Sequence, residues 1–350
     1  MPDSRTVTQP PDAVPRPVRV PTGIDLDAAW AVLRRRLAPT PLLPTSVEVP
    51  ALGPVPALLK LETMQPTGSF KVRGALAALS RLAEGERAVT ASAGNHGLGT
   101  AWAAGLLGAA ATVVVARSAS PAKVAALQGF PVELVQQGDG YDEAEAHALW
   151  LARGSGRRFV SAYNDPDVVA GQASIGFELD GQLSGDASRV PLTLVTPVGG
   201  GGLAAGLAVW GRERARRPVR LVGVEAAAST AVSAALAAGS VVPVRVDDTL
   251  ADGLAGNLEP GSVTPWLVGG DTTLAAVTED EIVDAMRWLF SRHGLVVEGS
   301  AAVGLAALLA GKVPAQALEG VLDGNPLVVL LTGRNITRER YAHALGAVRP

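Results

Sequence analysis

Apolar and polar positions change their period in a regular alternation along this chain. Leu26, Trp30, Leu33 and Leu37 recur at helical spacing within residues 25–37, which predicts one amphipathic helix. Pro39, Pro41 and Pro44 end it, so residues 39–46 read as an extended connection. A short strand is expected at 57–62, followed by an apolar helical run at 75–82. Beyond it, β-rich apolar runs fall at 88–92, 112–116, 132–135, 159–162, 192–197, 220–225 and 327–332. Helical stretches lie between them at 97–107, 121–128, 142–152, 168–179, 203–214 and 278–290. Strands separated by helices predict an α/β fold with mostly parallel sheets. In such folds the loops at the carboxyl ends of the strands usually hold the site. Residues 1–23, rich in proline and polar groups, are expected to form a disordered tail.

Composition narrows the choice. Of 350 residues 48% are hydrophobic but only 4% aromatic, so a sizeable core must be built from Ala, Val, Leu and Gly. A net charge of −3 offers no global field for nucleic acid or an anionic membrane, and neither partner is expected. The absence of cysteine excludes disulfides, thiolate catalysis and Cys-based metal sites. No apolar h-region opens the chain, and runs such as 101–116 are too short or interrupted to span a bilayer, so a cytoplasmic protein is expected.

Four stretches carry chemistry. In QPTGSFKVRG (65–74), Lys71 stands at a loop-to-helix junction where Gly68 permits a tight turn and Ser69 offers an N-cap. The positive helix end and partial burial beside Phe70 favour the neutral amine, the form that attacks carbonyls. A surface lysine on a capped helix fits this decapeptide equally well. In ASAGNHG (91–97), the Ser92 hydroxyl, the Asn95 amide and backbone N–H groups at a helix start suit a carboxylate, and Asn95 suits a phenolate; a plain capped turn fits better still on its own. PVGGGGL (197–203) places four consecutive glycines between a strand and a helix. That is poor scaffold material but good chemistry for backbone that must approach an anion. LTGRNI (331–336) would present the Thr332 hydroxyl at a strand end. Together the set suits pyridoxal phosphate: an aldehyde for Lys71, a phosphate for Gly199, Gly200, Gly201 and Gly202, a phenolic oxygen for Asn95, and a pyridine nitrogen for Thr332.

At this point the chain resembles the threonine/serine dehydratase family of fold-type II pyridoxal-phosphate enzymes. QPTGSFKVRGA, SAGNHG, AGQASIGFEL, PVGGGGL, ADGLA, VEGSAA and LTGRN fall in that family's order, from about residue 41 to residue 335. The resemblance implies two open, twisted, mostly parallel sheets flanked by helices, with the cofactor in the cleft between domains. A large domain would comprise 24–73 plus 160–350, with a small inserted one at 74–159. It implies that Lys71 holds the cofactor aldehyde and later takes the α-proton, and that Phe70 packs beside the ring. Asn95, Thr332 and the four glycines would bind the cofactor, and Ser92, Asn95 and His96 the substrate carboxylate. Glu298 would sit near the ring. The implied reaction is dehydration of a β-hydroxy amino acid such as threonine or serine to a 2-oxo acid and ammonia, by a homodimer. A same-fold β-replacing synthase, threonine synthase or racemase is the alternative, and a non-catalytic pyridoxal-phosphate carrier is a third.

Departures from the family pattern sharpen this. Ala93 stands where the family's racemases carry a serine, which argues against racemisation. The family's cation site needs a second carboxylate soon after Glu225, and residues 226–231 supply none, so no metal is expected. Gly299 replaces a usual proline. Arg334 replaces a usual glycine and reads either as a partner for a second substrate carboxylate or as a solvent-facing side chain. With about fifteen residues following residue 335, a regulatory domain of the kind some allosteric threonine dehydratases carry is not expected.

Overall fold

Runs of Val, Leu and Ala buried on both faces assemble into two sheets in the computed structural model, which describes residues 16–50, 52–183, 190–270 and 272–346. Its strands are β1 (Leu42–Val49), β2 (Gly53–Leu61), β3 (Ala88–Ala91), β4 (Ala111–Val115), β5 (Glu133–Gln136), β6 (Arg158–Phe159), β7 (Leu192–Pro197), β8 (Val219–Ala226), β9 (Thr273–Val277) and β10 (Leu327–Leu331). The first helices are α1 (Gly23–Leu33), α2 (Lys71–Leu79), α3 (Asn95–Leu107), α4 (Pro121–Gln128), α5 (Tyr141–Ser155), α6 (Pro166–Gln172) and α7 (Ser174–Gln182). After them come α8 (Gly202–Glu213), α9 (Ala231–Ala238), α10 (Thr264–Val268), α11 (Glu279–His293), α12 (Gly299–Leu309) and α13 (Arg338–Ala344).

The larger sheet has the order β1-β2-β10-β7-β8-β9 and the smaller one β5-β4-β3-β6. Every pairing is parallel except β1 with β2. The smaller sheet draws all its strands from residues 88–159. Both faces of the larger sheet are covered, as parallel sheets require. Val328 and Leu330 of β10 join a core with α1, α2, α6 and α8, while Leu327, Val329 and Leu331 join another with α11 and α12. The alternation is the two-residue period of a strand buried twice over.

Strand β9 and helices α9, α10 and α13 were not expected from the sequence, and three further elements differ from expectation in instructive ways. The proline-bearing stretch after residue 39 is not only a connection: it contains β1, an antiparallel edge strand where Pro44 needs no N–H partner on its outer side. The helix expected over 168–179 is two, α6 and α7, meeting at Ala173. Helix α12 was seen only as the motif VEGSAA. It is buried from Gly299 to Leu308, so no polar face marks its period. The expected tail at 1–15 lies outside the described residues, while 16–22 run extended to α1 with Arg16, Pro17, Val18 and Arg19 on the wall of the main cleft.

Helix α2 is set by close approach. A Cβ placed on Gly99 of α3 would lie 3.0 Å from the carbonyl carbon of Lys71, and one on Gly171 of α6 would lie 2.6 Å from the carbonyl oxygen of Arg73. Below it, Lys60, Glu62, Arg73 and Glu178 form a buried quartet of two cations and two anions.

Candidate active site

Strands β2 and β10 end in register, Leu61 beside Leu331, so the loop leaving β2 and the turn leaving β10 emerge together. The lysine loop is bonded to that turn along its length. Ser69 pairs with Gly333, Phe70 N–H donates to the Thr332 carbonyl at 3.0 Å, and Arg334 N–H donates to the Gly68 carbonyl at 2.9 Å. Gly68 turns the loop with φ +73°, a conformation costly for any residue with a Cβ. Helix α2 starts one residue later than the cap expected at Ser69. Its cap position is Phe70, yet the buried Ser69 Oγ still accepts from Lys71 N–H at 3.3 Å.

Lys71 Nζ donates to the carbonyl of Ala162 at 2.9 Å and stands 5.2 Å from the centre of the Phe70 ring. Burial lowers its pKa to about 8, opposed by the nearby Glu298 carboxylate. Glu298 holds the N-cap position of α12 without a side-chain capping bond and is itself pushed up to about 7 by burial, against the hydrogen bond from Asn95. The Asn95 amide, at the start of α3, donates to both Glu298 oxygens at 2.8 and 3.1 Å. Its own oxygen accepts from Asn335 Nδ2 at 2.6 Å, and that nitrogen also reaches the Thr67 carbonyl at 2.8 Å. Asn95 is therefore fixed at both ends. On the same loop the Ser92 hydroxyl accepts from Gly94 N–H at 3.2 Å. His96 is buried, its Nε2 3.2 Å from the Val160 carbonyl and its Nδ1 without a partner. Burial, then the Lys71 charge, lower its pKa to about 3, so the ring is neutral.

The four glycines join β7 to α8. Gly201 holds the cap position of α8 at φ +83°. Neighbouring backbone crowds the rest of the turn. A Cβ on Gly199 would lie 2.8 Å from Leu254 Cα, one on Gly202 2.7 Å from Tyr163 Cα, and one on Gly200 would strike the Tyr163 ring. Thr264 Oγ1 donates to the Gly200 carbonyl at 2.6 Å. Side chains are excluded here because other loops pack onto the turn, which leaves its backbone as the only lining it offers.

One cleft of about 2110 Å³ is lined by Phe70, Lys71, Ser92, Asn95, His96, Gly199, Gly200, Gly201, Gly202, Glu298 and Thr332. The amine and the glycine turn meet through adjacent residues, Ala162 holding the first and Tyr163 backing the second. Helices α2, α3, α8 and α12 all begin at this cleft, and their positive ends favour anionic groups there. An amine whose pKa burial lowers, a side-chain-free turn at a helix N-terminus, a carboxamide and a strand-end hydroxyl fit pyridoxal phosphate. Arg334 is exposed and takes no part in the lining; its stem covers Gly68, which resolves the two readings in favour of solvent. The sequence reading missed Ala162, whose contribution is a carbonyl that any residue would supply. It also missed Tyr163, Glu259 and, within a motif it quoted, the orienting role of Asn335. Glu225 accepts from Val232 N–H at 2.9 Å and from the Ser233 hydroxyl, so its carboxylate caps α9. Among the described residues no group of three or more His, Asp or Glu is placed to hold a metal ion, and no helix is long and apolar enough to cross a membrane.

Comparison with known proteins agrees with this chemistry. Residues 33–333 match the family described as pyridoxal-phosphate dependent enzyme. An L-threonine ammonia-lyase of Geobacter sulfurreducens is 39% identical over 284 residues, 80% of this chain and 69% of the relative. A catabolic L-threonine dehydratase of Escherichia coli is 36% identical over 294 residues, 83% of this chain and 86% of the relative. The solved structure of a threonine deaminase from Solanum lycopersicum superimposes with a TM-score of 0.76 at 27% identity, covering 97% of this chain and 99% of that one.

Proposed function

Since the chain belongs to the pyridoxal-phosphate dependent enzyme family, we propose that it is an ammonia-lyase that dehydrates a β-hydroxy amino acid such as threonine or serine to a 2-oxo acid and ammonia. The observation that carries this reading is the meeting of the Lys71 amine and the tetraglycine turn on adjacent residues, Ala162 and Tyr163. Lys71 binds the cofactor aldehyde. The N–H groups of Gly199, Gly200, Gly201 and Gly202 hold the phosphate, Asn95 the phenolic oxygen and Thr332 the ring nitrogen. When bound, the cofactor supplies an electron sink for the substrate α-carbon. Lys71 Nζ, with a pKa near 8, is suited to take the α-proton at neutral pH. Ser92 and Asn95, at the positive end of α3, receive the substrate carboxylate, and the neutral His96 backs that loop. Thr332 is a neutral hydroxyl, so it leaves the ring nitrogen without a fixed counter-charge. Ala93 gives the cleft an apolar group where a second proton donor would be needed for racemisation. Residues 24–73 plus 160–350 are assigned to the large domain and 74–159 to the small one; the enzyme is assigned as a cytoplasmic homodimer.

The test is a panel of threonine, serine and 3-hydroxyaspartate with coupled detection of 2-oxo acid and ammonia. Release of both from one of these by the protein loaded with pyridoxal phosphate is expected. Product formed only when an external nucleophile is added would instead mark a β-replacing synthase.

A further inference from the structure

Ala162 and Tyr163 meet the amine and the glycine turn from a segment without regular structure. Residues 161–164 leave the end of β6 as irregular chain, so no sheet ladder fixes them past Val160, whose N–H donates to the Val89 carbonyl. Glu259 does so from a distant loop. Its carboxylate bonds the Ser161 hydroxyl through Oε1 and the Asn164 amide through Oε2 at 3.1 Å. Its own N–H donates to the Tyr163 hydroxyl at 2.6 Å. Three of four consecutive residues are thus gripped by one side chain and its peptide. The fourth, Ala162, carries the carbonyl that receives Lys71 Nζ. Ser161 and Asn164 are fully buried, so these bonds are made away from solvent, where losing an acceptor is costly. Arg16 completes the cluster. Its Nη2 donates to the Asn164 carbonyl at 2.6 Å and to Glu259 Oε2 at 3.3 Å, and its guanidinium lies 5.3 Å from the centre of the Phe159 ring.

We propose that Glu259 is a positioning residue, which sets the Ala162 carbonyl against the Lys71 amine and the Tyr163 ring against the glycine turn, with Arg16 as its counter-ion. Glu259 acts on the cofactor site through its neighbours and needs no contact with the reacting atoms. This role rests on Lys71 and the glycines being the cofactor site.

The test is titration of cofactor-free protein with pyridoxal phosphate, followed by visible absorbance. Glu259→Ala is expected to weaken cofactor affinity about tenfold or more, since it removes three bonds to a largely buried carboxylate, from Ser161, Asn164 and Arg16. Arg16→Ala should weaken it less. Glu259→Gln, which keeps the acceptor for Ser161, should recover most of the loss. With cofactor saturating, Glu259→Ala should lower kcat while leaving KM within about twofold. Thr193→Val is the control. Its hydroxyl bonds the Ala317 carbonyl at the opposite end of β7 from the glycine turn, so it should lose stability with no change in cofactor affinity. Cofactor affinity within about twofold of wild type in both Glu259 variants, with only thermal stability lowered, would reduce Glu259 to a structural role and overturn the proposal. Should Glu259→Ala fail to fold, Arg16→Ala decides: cofactor affinity weakened by more than about twofold supports the proposal, and an affinity equal to wild type overturns it. Wild-type protein that takes up no pyridoxal phosphate overturns both this role and the function proposed above; normal uptake with unmoved variants overturns this role alone.

Discussion

Arg73 closes on Glu62 with two hydrogen bonds, Nε to Oε2 at 2.7 Å and Nη2 to Oε1 at 2.8 Å, and so shuts the loop that carries Lys71. Both side chains are completely buried, and Arg73 Nη1 also reaches Glu178 at 2.7 Å. Removing Arg73 leaves two carboxylates buried without it, although Lys60 still faces Glu178. Arg73→Ala is expected to lower unfolding free energy by about 3–5 kcal/mol. Replacing Glu62 and Arg73 together by Leu and Met should cost less than the single change, because no charge is orphaned between them. Urea denaturation of the three proteins checks this; a double variant weaker than Arg73→Ala would contradict it.

Burial holds the Lys71 amine at about 8, against an ordinary 10.5. Between those values the folded cofactor-free protein has released a proton that the unfolded chain still holds, so its stability rises with pH across that window. Below the window both states are protonated and folding bears the full desolvation cost. Cofactor-free Lys71→Met is therefore expected to be more stable than wild type at pH 7, by about 2 kcal/mol once water in the cleft is allowed for. The gap should close as pH rises towards 10.5. Denaturation curves at pH 7 and pH 10 measure it, and a gap that does not change with pH would speak against the shifted amine. The same variant should bind no cofactor covalently and have no lyase activity.

The Glu298 carboxylate raises the Lys71 pKa, while burial lowers it. Glu298→Gln keeps an oxygen for the Asn95 amide but removes the charge, so burial acts unopposed. The expected result is a Lys71 pKa below about 8 in the cofactor-free variant. Titration of isotopically methylated lysine by NMR reads this directly. An unmoved Lys71 resonance would show that the two groups are not coupled.

Gly201 caps α8 in the left-handed region, where a Cβ costs about 1–2 kcal/mol. Gly201→Ala is expected to weaken pyridoxal phosphate binding about tenfold, because the strain falls on the turn assigned to the phosphate. Equilibrium titration of the cofactor is the check. An affinity equal to that of wild type would remove this turn from the site.

Most of the alternation was legible because β7 and β10 are short apolar runs bounded by glycine or proline, and α11 carries both a capping box and a polar face. What escaped had physical causes. Strand β1 is an edge strand with prolines, a composition that reads as a breaker. Helix α12 has no polar stripe to betray its period. The candidate roles of Lys71, Asn95, Thr332 and the glycines could be proposed from sequence because residue type matters there, and the structure brings these residues to one cleft. The support from Ala162 is a main-chain atom, and that from Tyr163 and Glu259 depends on contacts about a hundred residues apart in the chain. No local pattern encodes such a meeting.

The helix that carries Lys71 has bare α-carbons pressed against it from two sides, Gly99 and Gly171. Its height and tilt are thus registered main chain to main chain, with no rotamer able to absorb an error. Adding even one methyl group on either flank would have to be accommodated by moving the helix, and the amine would travel with it. Two residues outside the cleft lining therefore act as the calibration of where the Lys71 nitrogen stands.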